Sequence, residues 1–251
     1  MFPAIPWFTE KLIKHLPIDL KKKLKVGGLK FEFYNPYEFK HTFKDIFNDE
    51  IYKFKATTSN PIIIDGGANI GLSSLYFKHL YPKSKLICFE PDSICFERLK
   101  NNLEINGFED VTIIQKAIWT DDKGVAFKSI GSEGSKIDHT DPANTQIVPS
   151  ICFSQYLSKF DTIDFLKLDI EGAEFDVCTV EDFPYHKIRN FFLEYHGKSN
   201  ELYKLNKILK ILEKENFLIY VQNAADRLKQ PFFNKTTNES SDNQLNIYCY
   251  K

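Results

Sequence analysis

Residues Ile62-Ile63-Ile64 run straight into Asp65-Gly66-Gly67-Ala68-Asn69-Ile70-Gly71 and from there into Leu72-Ser73-Ser74-Leu75-Tyr76-Phe77. A short β-branched run reads as a buried strand, a glycine-rich turn follows it, and the next residues are helical; together they open a βαβ unit. The glycines let the backbone turn tightly and let a ligand come close to it. Nineteen residues after Gly71, a second strand-like run ends in Cys88-Phe89-Glu90-Pro91-Asp92, where the carboxylate of Glu90 can grip ribose hydroxyls. The turn alone is a common connection, but turn and carboxylate at this separation describe a nucleotide-binding half-site.

The ligand follows from what the turn lacks. A dinucleotide fingerprint needs glycine at its third position so that the backbone can meet a pyrophosphate, and here that position is Ala68. Asp65 at the strand end repels a diphosphate but suits a cationic ligand, such as the sulfonium and α-amino groups of S-adenosyl-L-methionine. The expected cofactor is therefore S-adenosyl-L-methionine and not a nicotinamide, with Asp65, Glu90 and the neighbouring Asp92 at its site.

Strand patterns recur at residues 85–89, 111–115, 163–169, 189–195, 217–221 and 245–250, and helical patterns at 70–80, 93–106, 174–179 and 200–215. Strand and helix alternate with crossovers long enough for parallel pairing, so the expected fold is α/β, a doubly wound and mostly parallel sheet. With 251 residues and 43% hydrophobic content the chain can bury one full core. Residues 56–251 are the expected catalytic domain, and residues 1–55 form a helical and strand cap that is not an independent domain. Within the cap we expect a basic amphipathic helix over residues 8–25, a strand at 30–34 and a helix at 42–54. The lysines of that first helix either make a peripheral contact with an anionic membrane surface or acidic acceptor, or lie solvated over the sheet. Between residues 117 and 151 the rhythm breaks. A hairpin is expected around Asp121-Asp122-Lys123-Gly124, then a polar loop at 129–144 carrying Gly131, Gly134, Asp138, His139, Asp141 and Pro142, which should flank the active site and order with ligand.

Composition narrows the classes further. A formal net charge of -1 and a pI near 6.6 give no global attraction to nucleic acid. A nucleic-acid-binding module would have to rely on the N-terminal lysines with Phe31, Phe33 and Tyr34 beside them. Five cysteines, at positions 88, 95, 152, 178 and 249, make no closely spaced pair and leave one over, which points to a reducing, cytoplasmic setting; no residue is assigned to a metal. The apolar start up to Phe8 is broken by Pro3 and Pro6 and lacks the build of a secretion signal, and no run of eighteen apolar residues occurs. The sequons Asn234-Lys235-Thr236 and Asn238-Glu239-Ser240 mark an exposed loop.

A second group of polar residues gathers at strand ends. The fourth core strand ends in Lys167-Leu168-Asp169-Ile170-Glu171-Gly172-Ala173-Glu174 and the next in Glu194-Tyr195-His196. In doubly wound sheets the ligand crevice lies at the carboxyl ends of the strands, so Asp169, Glu171, Glu194 and His196 should share a rim with the cofactor. Three uses compete for them: acid/base groups for an acceptor, ligands for a divalent metal, and hydrogen-bonding groups for a polyhydroxy substrate. Glu174 is expected to cap its own helix, where the dipole stabilises a carboxylate. His196 has the ordinary pKa best suited to deprotonating an alcohol at neutral pH, so it is the expected general base, oriented by Glu194 or Asp169.

Taken together, Ile64-Asp65-Gly66-Gly67-Ala68-Asn69-Ile70-Gly71, Phe89-Glu90-Pro91, the segment from Lys167 to Glu174 and Glu194-Tyr195-His196 resemble the FkbM-type methyltransferase family over about residues 45–221. The resemblance implies the class I, Rossmann-like methyltransferase fold, seven strands with the last antiparallel. It implies O-methylation of a sugar, glycan or secondary metabolite with S-adenosyl-L-methionine as donor. It also implies that Gly66, Gly67, Asn69 and Gly71 surround the methionine part, that Glu90 holds the ribose, and that Asp169 with Glu171 borders the transfer site. Methylation of nitrogen or of a protein side chain is the alternative, but amino-group enzymes typically carry an Asn-Pro-Pro-Tyr-like string where this chain has Asp169-Ile170-Glu171-Gly172.

Overall fold

The computed structural model describes residues 2–13, 15–18, 20–131, 134–138, 142–225, 228–235 and 241–251. The expectations for His139, Asp141, Thr236 and the Asn238-Glu239-Ser240 sequon fall outside them.

The cap begins with helix α1 (Trp7–Ile13), which stops before Pro17, and continues into a hairpin of β1 (Lys22–Val26) and β2 (Leu29–Phe33). The expected helix over residues 8–25 is therefore corrected. Gly27 and Gly28, at φ +60° and +85°, supply the two left-handed residues that a tight hairpin turn needs, and Leu24 pairs with Phe31 across it. Lys22 is buried and donates to the Tyr34 carbonyl at 2.8 Å, and Lys21 pairs with Glu32 at 2.6 Å, so these lysines do not form one basic helical face. Helix α2 (Pro36–Phe43) starts ahead of the expected Thr42 because Asn35 caps it, accepting from the backbone N–H groups of Tyr37 and Glu38, with Pro36 in the first turn. It passes into a π-helical turn at Lys44–Asn48. Phe31, Phe39, Phe43 and Phe47 are each at most 2% exposed, and at about 1.5–3 kcal/mol per buried ring they weld the cap to the sheet layer beneath. Phe31 and Phe33 are thereby removed from any base-stacking role.

Next come β3 (Ile62–Gly66), α3 (Leu72–Leu80), β4 (Lys85–Phe89), α4 (Ser93–Glu104) and β5 (Thr112–Ile114). An insertion follows, made of β6 (Ala117–Trp119), β7 (Val125–Lys128), β8 (Lys136–Ile137), β9 (Gln146–Val148) and β10 (Ser150–Cys152). The chain closes with α5 (Phe153–Leu157), β11 (Ile163–Leu168), α6 (Glu174–Cys178), β12 (Ile188–Gly197), α7 (Leu202–Lys214), β13 (Leu218–Ala225) and β14 (Asn243–Tyr250).

The main sheet has seven strands in the order β5-β4-β3-β11-β12-β14-β13. Its first five strands are parallel, and β14 inserts antiparallel between β12 and β13, so the expected class I methyltransferase topology is the one observed. Strand β11 is buried along its whole length, as a central parallel strand must be. Alternation divides the side chains: Ile63 and Phe165 face the cap, α3 and α4, while Ile64 and Leu166 face α5, α6 and α7. The hairpin expected around residues 121–124 does not form. Val125, Phe127 and Val148 bury together, which takes β7 into a small antiparallel sheet between β8 and β9 and leaves β6 to pair in parallel with β10. All five cysteines are buried and free. No helix among the described residues is long and apolar enough to cross a membrane.

Candidate active site

The turn after β3 is tied to the end of β4, for the backbone N–H groups of Gly67 and Ala68 both donate to the Phe89 carbonyl, at 3.1 and 2.9 Å. Gly67 has φ +80°, and a Cβ there would stand 1.8 Å from the Asp169 carbonyl oxygen. Gly71 has φ +93° and a Cβ there would meet Leu99 at 2.7 Å. These glycines are thus required by chain packed on chain. Of the four residues expected around the methionine part, Gly67 and Asn69 line a cavity of about 600 Å³, and Gly66 and Gly71 flank them in the chain.

Asp65 lies near the end of β3, as the sequence pattern places it. It is fully buried beneath the turn; its Oδ2 accepts from the hydroxyls of Ser73 and Ser74, each at 2.7 Å, and its Oδ1 stands 3.7 Å from Lys167 Nζ. Asp65 does not line the cavity. It fastens β3 to α3 and to Lys167. Lys167, for which the sequence suggested no role, donates to the Gly67 carbonyl at 2.8 Å and lies 3.2 Å from Asp169 Oδ2. Burial alone would lower its pKa, but Asp169 and Asp65 outweigh that and raise it, so the ammonium is firmly charged.

Glu90 forms part of the cavity wall, 6% exposed. Its Oε2 accepts from the Asn69 N–H and its Oε1 from the Asp92 N–H, both at 2.8 Å. Burial pushes its pKa up to about 7 despite these bonds. A carboxylate oxygen holding one N–H still has a lone pair for a hydroxyl. Asp92, also expected at the cofactor site, is tied into the fold by both of its carboxylate oxygens. Its Oδ1 caps α4 through the N–H groups of Ile94 and Cys95, and its Oδ2 accepts from Ser129, Gly131 and Ser135, which pins the insertion loop against the cavity. Burial works to raise its pKa, but the bonds from Ser129, Ser135, Cys95 and Gly131 prevail and hold it low. The loop flanks the cavity as expected, contributing Gly131, Gly134, Ser135 and Ile137. Arg98 supports it, donating to the Gly131 carbonyl at 2.9 Å with its guanidinium 4.0 Å over the Tyr34 ring.

Next to the turn, where the Asp169 N–H donates to the Gly66 carbonyl, Asp169, Glu171 and Glu194 line the same cavity, and His196 stands beside Glu171 and Glu194 without lining it. The His196 side chain is 5% exposed, with Nδ1 3.4 Å from Glu174 and Nε2 3.7 and 3.6 Å from Glu171 and Glu194. Burial alone would lower its pKa, but Glu174, Glu171 and Glu194 raise it to about 10. The three carboxylates thus favour the protonated ring of His196, the group expected from the sequence to act as general base. Burial raises the pKa values of Glu171 and Glu194 as well, with Asp169 adding to both. Glu174, fully buried, accepts from the N–H groups of Ile170 and Gly172, each at 3.1 Å, closing the turn before its own helix. Gln244 on β14 donates to Glu194, a partnership between distant strands that no local pattern announces.

Volume and chemistry fit a nucleoside-sized cofactor: the cavity has the size of a ligand cleft, the backbone of residues 67–70 forms one side, and Glu90 offers buried acceptors. Known proteins point the same way. A methyltransferase from Sordaria araneosa, sdnD, is 42% identical over 83 residues, which is 33% of this chain and 32% of that protein, so the match spans about a third of that relative. The 2-O-methyltransferase NoeI of Sinorhizobium fredii is 26% identical over 178 residues, 61% of this chain and 71% of that one. Among solved structures, a methyltransferase FkbM from Methylobacillus flagellatus superposes with a TM-score of 0.51 at 18% identity, covering 78% of this chain and 45% of that one. The sequence model of the Methyltransferase FkbM domain matches residues 65–219, more than half of the chain, which belongs to this family of S-adenosyl-L-methionine-dependent methyltransferases.

Proposed function

We propose that the protein transfers a methyl group to a hydroxyl oxygen of a small molecule, a glycan or a secondary metabolite. The observation that carries this reading is the meeting of two chemistries in one cavity, whose lining joins Glu90 and the 67–70 backbone to the carboxylates of Asp169, Glu171 and Glu194. Carboxylates accept hydrogen bonds from hydroxyls and draw off their protons, which is what an alcohol needs to become a nucleophile. The relative from Sinorhizobium fredii that carries 2-O-methyltransferase in its name agrees with an oxygen acceptor. S-adenosyl-L-methionine, when bound, supplies an electrophilic methyl on a sulfonium. The chain's own residues do the rest: Glu90 accepts from the ribose hydroxyls, the turn at 67–70 fixes the ligand's depth, and the acidic wall orients the acceptor oxygen in line.

Alignment outranks proton transfer. Holding two reactants in register is worth about 7 to 11 kcal/mol, and a general base about 3 to 5 kcal/mol. Loss of one wall carboxylate should then slow turnover without abolishing it. The direct test incubates the protein with radiolabelled S-adenosyl-L-methionine and a panel of glycans and hydroxylated small molecules. Label recovered as an ether supports the reading, and label found solely on nitrogen or on protein overturns it.

A further inference from the structure

His196 Nε2 is a buried nitrogen with no hydrogen-bond partner among the described residues. It points between Glu171 Oε2 at 3.7 Å and Glu194 Oε1 at 3.6 Å, both too far for a hydrogen bond. A buried polar atom left in this condition calls for an explanation, and an ion is one. A donor atom from each of Asp169, Glu171 and His196 lies within 4.8 Å of the other two. Donors around one octahedral ion at about 2.1 Å stand roughly 3 to 4.2 Å apart, so small side-chain adjustments bring the three onto a common centre. The other ring nitrogen, Nδ1, is 3.4 Å from Glu174, whose carboxylate is itself fixed by the N–H groups of Ile170 and Gly172. A carboxylate behind the imidazole is the arrangement that orients a histidine toward a metal.

From this geometry we infer that Asp169, Glu171 and His196 bind one divalent cation of the Mn²⁺ type, with Glu174 as a positioning residue. Two carboxylates and one imidazole suit such an ion better than the thiolate-seeking ones. The cation takes the place of the imidazole proton and draws together carboxylates that otherwise repel one another. Asp169 and Glu171 line the cavity, so the remaining coordination positions open toward it. There the ion orients acceptor oxygens and lowers the pKa of a bound hydroxyl, a use that rests on the methyl-transfer reading, whereas the binding itself does not. The sequence, which assigned no residue to a metal, carried the three ligands on two strand ends that only the fold brings together.

The test titrates Mn²⁺ into chelator-stripped full-length protein and follows the free-ion signal by electron paramagnetic resonance. Calorimetry on the same sample measures S-adenosyl-L-methionine binding. We expect one Mn²⁺ per chain, a nitrogen modulation from imidazole in the electron spin echo, and at least tenfold weaker binding in Glu171→Gln, a partly exposed residue whose change leaves the fold intact. Asp169→Asn should behave likewise, and Glu174→Gln should weaken binding about 10- to 100-fold through the ring. Absence of stoichiometric Mn²⁺ binding, absence of nitrogen modulation, or wild-type affinity in Glu171→Gln and Asp169→Asn overturns the inference. Cofactor binding without Mn²⁺ binding rejects the metal site and leaves the methyltransferase reading standing, whereas Mn²⁺ binding without cofactor binding does the reverse.

Discussion

Exchanging Glu90 for glutamine separates the affinity of the site from the stability of the fold. In the free protein the Glu90 carboxylate is buried and its pKa stands at about 7, well above the ordinary 4.5. The native state thus holds this proton more tightly than the unfolded chain, so the stability it confers is full below pH 4.5 and is lost as pH rises through 7. At higher pH the ionised group costs the fold about 3 kcal/mol. Glu90→Gln removes that cost, but its amide turns an N–H₂ toward one of the two backbone N–H groups, from Asn69 or Asp92, at a penalty of about 1 to 3 kcal/mol. The two effects offset, so the thermal midpoint of the free protein should hardly move. Cofactor binding has no such offset. Two hydrogen bonds from ribose hydroxyls to a carboxylate are worth about 1.5 to 3 kcal/mol each, so the variant should bind S-adenosyl-L-methionine at least a hundredfold more weakly. If the ionised form is the one that binds, wild-type affinity should also be about tenfold weaker at pH 6 than at pH 8, and the variant should lose that dependence. Isothermal calorimetry at the two pH values reads both effects. An unchanged dissociation constant in Glu90→Gln refutes the assignment of Glu90 to the ribose, and a wild type indifferent to pH refutes binding through the ionised carboxylate alone.

Three further outcomes follow from the packing. Lys167→Met leaves Asp65 and Asp169 without their buried counter-charge and should cost about 3 to 5 kcal/mol in a urea titration, and a loss below about 1 kcal/mol would show that the serines suffice to hold Asp65. Gly67→Ala combines a left-handed backbone with a Cβ 1.8 Å from the Asp169 carbonyl, so it should abolish cofactor binding and lower the melting temperature by several degrees; wild-type binding would mean that the strand end yields freely. Asp92→Ala removes a helix cap worth about 1 kcal/mol together with the anchor of Ser129, Gly131 and Ser135, and hydrogen exchange should quicken at both places, at those three residues more than in the helix.

The central sheet was legible because its strands are buried on both faces: runs such as residues 62–64 and 163–168 have one reading when short and bounded by turns. The cap was less so. Lysines spaced along residues 21–25 satisfy a helical face and a strand edge equally well, and what decided was Gly27-Gly28, a two-residue signal. In the site, Glu90 is placed where its position after β4 foretold, since the end of a parallel strand is fixed by the sheet. Asp65 and Asp92 turn to hydroxyl and backbone partners that the sequence did not announce, because side-chain direction at a strand end depends on which partners lie above and below. Ser73, Ser74, Ser129 and Ser135 are such partners, and the three acids beside His196 come from different places, Glu171 and Glu174 from the chain after β11 and Glu194 from β12. Sequence spacing carries no information on contacts of that range.

Lys167 turns this placement into a coupling. Asp65 on β3 stands directly across from Lys167 on β11 in the parallel register, and the ammonium reaches Asp65, the Gly67 carbonyl and Asp169 together. The first two lie on β3 and on the glycine turn that follows it, and the third on the acidic wall. A displacement of the turn by a fraction of an ångström therefore weakens the hold on Asp169, and added positive charge beside Asp169 weakens the hold on the turn. Occupancy of one side of the cavity must then alter affinity on the other, by an amount equal in both directions. Lys167→Gln, which keeps donors of similar reach and drops the charge, should reduce that mutual effect more than it reduces either affinity alone. Titrating the cofactor with and without saturating acceptor measures the difference, and equal coupling in wild type and variant would show that the two walls communicate by some path other than this lysine.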